Sequence, residues 1–96
     1  VPGLYETENL PNDKKKVWAK FSNPCGAGTW YLVELDKETK DAFGFAEVQE
    51  FEAGYFSIAE LEALRLRFGL GIERDIHFTP ITVAKLLELK AEGKHV

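Results

Sequence analysis

A chain of 96 residues with 45% apolar and 29% charged side chains can form one hydrophobic core without metals or disulfides, and no apolar run approaches the about 18 residues of a membrane span. Its net charge of −4, from 12 basic and 16 acidic residues, counts against nucleic-acid binding, which usually leaves a basic footprint. The only cysteine, Cys25, excludes an internal disulfide and a cysteine-rich zinc site; support for a metal site at His77 with its neighbouring acids is thin because the only other histidine, His95, lies in the tail, and neither a metal nor a cofactor is expected.

The first residues, Val1-Pro2-Gly3-Leu4-Tyr5-Glu6, show neither the basic region nor the apolar core of a signal peptide, and a cytoplasmic location is expected. Residues 1–13 hold two prolines and a turn at Asn12-Asp13; they read as an irregular arm with one short helical turn at Glu6–Asn9. Lys14-Lys15-Lys16 reads as a solvated approach to a strand in which Val17, Ala19 and Phe21 share one face. The turn formers of 22–28 then lead to a second strand, Thr29–Leu35, and complete a hairpin. Gly26-Ala27-Gly28 lacks the lysine and the following helix of a phosphate loop, and Cys25 beside it reads as structural.

In the second strand Tyr31, Val33 and Leu35 alternate with Trp30, Leu32 and Glu34, so both faces carry large apolar groups. Either the sheet is covered on both sides or one side meets a partner. Trp18 and Trp30 are expected on the same face. A charged turn at 36–41 precedes a third strand, 42–48, whose alternation changes phase between Phe45 and Ala46, as at a bulge. From Asp41 to Leu64 there are carboxylates at Asp41, Glu47, Glu50, Glu52, Glu60 and Glu62 and no basic residue; these read mainly as solvent-facing positions.

The most legible junction is Gly54-Tyr55-Phe56-Ser57-Ile58-Ala59-Glu60-Leu61, a strand end running into a helix. Ser57 and Glu60 have the spacing of a capping box, and Phe56 with Leu61 that of a hydrophobic staple. The helix carries Ile58, Leu61, Leu64 and Phe68 on one stripe, stops near Gly69, and places Arg65 inside the stripe. A buried arginine needs a carboxylate, and the following strand, 72–78, offers Glu73 and Asp75. In that strand Glu73, Asp75 and His77 alternate with Arg74 and share a face. Thr79-Pro80 ends it, and Thr82 or Thr79 caps a last helix, about 83–92, with Val83, Leu86, Leu87 and Ala91 inward and Gly93 at its end. The expected fold is α+β: one domain over 1–96, a mostly antiparallel sheet of about four strands and two main helices, with a tail at 93–96.

Over about residues 4–82 the chain resembles bacterial domain-of-unknown-function family 2958. The resemblance is carried by Thr29-Trp30-Tyr31, Phe43-Gly44, Glu52-Ala53-Gly54-Tyr55-Phe56-Ser57, Glu60-Leu61-Glu62, Arg65, Phe68-Gly69-Leu70, Ile72-Glu73-Arg74-Asp75 and Phe78. Cys25 falls at a variable loop position of the family, and Ala53 where a larger or acidic residue is expected. The resemblance implies a fold and a setting near plasmid and other mobile-element genes, and it brings no reaction or catalytic residue.

Three functions fit the residues. The first is a non-enzymatic interaction module that binds a protein through its aromatic sheet face or its acidic stretch, with Trp18, Trp30, Tyr55, Arg65, Glu73, Arg74 and Asp75 as the candidate network. The second is a hydrolase-like enzyme using Glu73, Asp75 and His77, with Arg65 or Arg74 as anion binder, since such a set supplies an acid, a base and a charge stabiliser. The third is a nucleic-acid binder using Lys14, Lys15, Lys16 and Lys20 beside Trp18 and Trp30. The first accounts best for a chain without a catalytic signature.

Overall fold

The structure, a computed structural model, describes residues 2–7, 9–23, 28–48, 50–63, 71–75 and 77–93. In chain order these form β1 (Lys16–Val17), β2 (Ala19–Ser22), β3 (Thr29–Leu35), β4 (Asp41–Glu47), β5 (Phe51–Ser57), α1 (Ile58–Ala63), β6 (Glu73–Arg74), β7 (Ile81–Thr82) and α2 (Val83–Ala91). The main sheet runs β5-β4-β3-β2-β6 with antiparallel neighbours throughout, and β1 pairs separately with β7. This is the expected α+β arrangement, with five strands in the main sheet rather than about four. No described helix is long and apolar enough to cross a membrane.

The sheet carries a helix on each face, which is why β3 is apolar on both sides. On one face Val17, Tyr31 and Val33 form a buried cluster with Val83 and Leu86 of α2, supported by Phe43, Phe45 and Phe51. On the other, Ala19, Leu32 and Ala42 are buried with Ile58 of α1, and Phe21, Leu35, Phe56 and Leu61 pack around them.

Two irregularities correct the simple alternation of the sequence. Trp18 donates its amide to the Leu32 carbonyl at 2.7 Å while Ala19 is the register partner of Leu32, so two residues stand against one. Val17 therefore joins the α2 face and Ala19 with Phe21 the α1 face, instead of all three sharing one side. Trp18 lines the α1-side cavity with Ala19 and Phe21, and Trp30 is the cross-strand partner of Phe21. The two tryptophans do share a side, through this extra residue rather than through regular alternation.

The second bulge lies in β3, where the register shifts between Leu32 and Glu34, and not in β4, whose pairing with β5 is continuous from Asp41 to Glu47. Leu35 consequently turns to the α1 side with Leu32, and Glu34, opposite Phe43, turns to the α2 side. The expected strand over 72–78 is also shorter. It ends at Arg74, because Asp75 bonds back to its neighbours and His77 lies in a turn.

Helix ends follow the local chemistry. The Glu60 amide donates to Ser57 Oγ at 3.2 Å, and Phe56 and Leu61 pack in the same cluster, as a staple requires. Ser57→Ala is expected to lower stability by about 1 kcal/mol; a denaturant midpoint equal to the parent's would rule out a stabilising cap. Thr82 caps α2 by accepting from the Lys85 amide at 3.1 Å. Ala91, expected inward, is exposed.

The far end of α2 is fastened by Lys90. Its Nζ lies 2.9 Å from Glu47 Oε1 and 5.5 Å from the Tyr31 ring centroid. Burial works against the ammonium, but the bonds to Glu47 and Tyr31 outweigh it and hold its pKa above the ordinary lysine value. Burial is the main cause that raises the Tyr31 phenol. A double-mutant cycle of Lys90→Met with Glu47→Gln should give a coupling of about 1 kcal/mol. Because the lysine pKa is raised on folding, this contribution is present at neutral pH and lost as pH rises through the folded value. A coupling of zero would show that the contact does not hold the helix.

Candidate functional site

Among the described residues β5 is the last strand of the sheet, with β4 on one side. Its backbone polarity follows from the β3–β4 hairpin. The Asp36 amide bonds to the Asp41 carbonyl at 2.8 Å, so Asp41, Phe43 and Phe45 face β3 and Ala42, Gly44 and Ala46 face β5. Their partners Phe56, Gly54 and Glu52 therefore face β4, and Phe51, Ala53, Tyr55 and Ser57 direct their backbone groups away from it. The Ile58 amide, bonded to the Lys40 carbonyl at 2.9 Å, keeps this phase. Glu52, Ala53 and Tyr55 are exposed, and no described residue occupies the space where a side chain at Gly54 would stand.

Beside this edge the α2-side face carries an aromatic patch. The Tyr55 ring lies 5.1 Å from Phe43 and 6.2 Å from Tyr5, centroid to centroid, and Tyr55 and Tyr5 are 61% and 60% exposed. Tyr5 is held there by Glu34, which is 4% exposed. The Glu34 carboxylate accepts from the Tyr5 amide at 3.0 Å, the Thr7 amide at 2.9 Å and the Thr7 hydroxyl. Burial alone would raise its pKa. The three hydrogen bonds and the Lys15 charge outweigh that and hold the carboxyl below its ordinary value. Tyr5 takes a left-handed backbone, φ 67°, which such a clamp on its own amide and on that of Thr7 can sustain.

On the α1 side a cavity of about 430 Å³ lies among Trp18, Phe21, Leu32, Ile58, Leu61 and Ile72, with Arg74 and Glu62 also on its wall. The Trp18 Nε1 is buried and has no hydrogen-bond partner among the described residues, while Lys16 Nζ sits 5.5 Å from the tryptophan ring centroid.

The sequence-derived candidates fall in separate places. Glu73 and His77 are exposed; Asp75 Oδ1 accepts from the His77 amide at 2.9 Å, and the Asp75 amide donates to the Lys20 carbonyl at 2.9 Å. These three residues no longer share one strand face, because β6 ends before Asp75. Arg74 lines the α1-side cavity with Trp18, and Trp30 is half-buried in β3. Lys14 is exposed, whereas Lys15 borders the recess of Glu34, Phe43 and Tyr55. Arg65 and Cys25 lie outside the described residues, as do Leu64, Phe68 and Gly69. Among the described residues no group of three His, Cys, Asp or Glu side chains could hold a metal ion. Tyr5, Glu34 and Phe43 were not singled out by sequence; the one available signal was a carboxylate in the middle of an apolar strand.

A search of curated proteins gives no match. A search of solved structures likewise gives none. The family model described as Protein of unknown function (DUF2958) matches residues 5–92. That span holds the edge strand, the aromatic patch and both helices, and the chain belongs to this family.

Proposed function

We propose that the chain is a non-enzymatic interaction module that takes up an extended segment of a protein partner along β5. The single observation that carries this reading is the β5 edge, seven residues long, which ends the sheet among the described residues and directs alternate backbone groups outward. Natural edge strands are commonly guarded by lysine, proline or a bulge. β5 contains no lysine or proline and its register with β4 is unbroken. Strand addition draws affinity from main-chain bonds and specificity from side-chain contacts beside them, and the Tyr5–Tyr55–Phe43 patch lies where those contacts would form. An accessory role in plasmid or mobile-element biology, implied by the family resemblance, suits such a module.

The test is a photo-reactive phenylalanine analogue in place of Tyr55, irradiated in the host cell. A discrete protein adduct is expected, and Ala53→Pro should remove it, because its missing N–H points away from β4 and leaves the fold intact. No adduct, or one indifferent to the proline, rejects the reading.

A further inference from the structure

Resting on that reading, we propose that the strand received by β5 is β5 of a second copy, paired antiparallel about a twofold axis through Gly54. The register follows from the strand itself. With Gly54 opposite Gly54, Phe51 meets Ser57 and Ala53 meets Tyr55 of the second copy, and all seven residues of each edge are used. Each of those pairs joins residues whose backbone groups point outward, so the phase needed for antiparallel bonding is already present. Sliding the register by two residues in either direction shortens the seam to five residues per copy; one slide also sets Tyr55 against Tyr55.

Side chains agree with this register. On the α2-side face the exposed Tyr55 ring of each copy is set across from the small Ala53 of the other. On the α1-side face Gly54 stands over Gly54, where no described residue fills the space above it and close approach is open. Glu52 is the only charged residue in the strand, and this register places it across from Phe56. A chain of net charge −4 therefore pairs with itself without setting carboxylate against carboxylate along the seam. A seven-residue edge is about 24 Å long. Interfaces of that extent sit at the small end of specific contacts, so the dimer belongs to the weak, concentration-dependent class.

Sedimentation of the purified full chain should show a monomer–dimer equilibrium in the micromolar range, weakened about tenfold or more by Ala53→Pro (tenfold is about 1.4 kcal/mol). In a Cys25→Ser background, Gly54→Cys should form an intermolecular disulfide under mild oxidation. The two Gly54 positions form a non-hydrogen-bonded pair with Cα atoms about 4.5 Å apart, within reach of a disulfide. The cross-link tests the register without relying on the proline variant. A chain that stays monomeric up to about 1 mM, or a dimer that neither cross-links at position 54 nor responds to Ala53→Pro, overturns self-pairing. If the photo-reactive residue at position 55 still captures a protein of different mass, self-pairing alone falls; with no adduct of any kind, strand addition falls with it.

Discussion

Glu34→Ala should destabilise the protein by about 3 kcal/mol or more, since each buried donor left without an acceptor costs about 1–3 kcal/mol. The substitution strips the acceptor from the Tyr5 amide, the Thr7 amide and the Thr7 hydroxyl together, and Thr7 is itself buried. It also releases the left-handed backbone at Tyr5, so the Tyr5 ring should leave Tyr55 and the aromatic patch should lose one of its three members. Glu34→Gln keeps an acceptor oxygen and should cost less. The pH dependence has a definite sign. A carboxyl held below its ordinary 4.5 on folding contributes stability that is complete above that pH and is lost as pH falls through the lower folded value. Denaturant melts at neutral pH and at about pH 3 should therefore show a gap between parent and Glu34→Gln that narrows in acid. If Glu34→Ala melts like the parent at neutral pH, the arm is not held by this carboxylate.

Glu34 also shows why parts of this molecule are legible in sequence and others are not. Ser57 and Thr82 reveal their helix starts because a cap is a contact across three residues, complete within the sequence window. The two bulges are invisible there. Val17-Trp18-Ala19 alternates like any strand, and only the sharing of Leu32 by Trp18 and Ala19 sends Val17 and Ala19 to opposite faces. Likewise the shift between Leu32 and Glu34 turns a carboxylate expected beside Trp30 and Leu32 into the anchor of an arm 27 residues away. The aromatic patch joins Tyr5 to Tyr55 across fifty positions, a distance over which periodicity carries no information. β6 fell short of its expected length because Asp75, a turn former whose amide still bonds the Lys20 carbonyl, accepts from the His77 amide at its carboxylate and from the Phe78 amide at its carbonyl and so turns the chain. The expected solvated approach of the lysine run was closer to local physics: Lys14 and Lys16 are exposed, and Lys16 opens β1, which leaves the main sheet to pair with β7.

Gly44→Ala and Gly54→Ala, two substitutions at register partners, should give opposite results. Neither glycine has a left-handed backbone, so the difference lies in space alone. A Cβ on Gly44 would stand 1.9 Å from the Tyr31 carbonyl oxygen and 3.2 Å from the Val33 amide nitrogen. Both obstacles are backbone, fixed at the β3 bulge, and no rotamer change can relieve the overlap. β3 and β4 would have to part by about 1.5 Å to restore ordinary contact, and Tyr31, 1% exposed, would move with its strand out of the cluster beneath α2. Overpacking relieved by backbone shifts, together with broken ladder bonds, gives an expected loss of about 3–5 kcal/mol. At Gly54 nothing among the described residues lies within 4 Å of the added carbon. There alanine should leave stability within about 0.5 kcal/mol of the parent or raise it slightly, because a strand glycine carries excess unfolded-state entropy. Paired urea melts of the two variants measure the contrast directly. Equal midpoints would mean that β3 and β4 do not approach so closely at Gly44, and the bulge that buries Glu34 would then have to be placed elsewhere in β3.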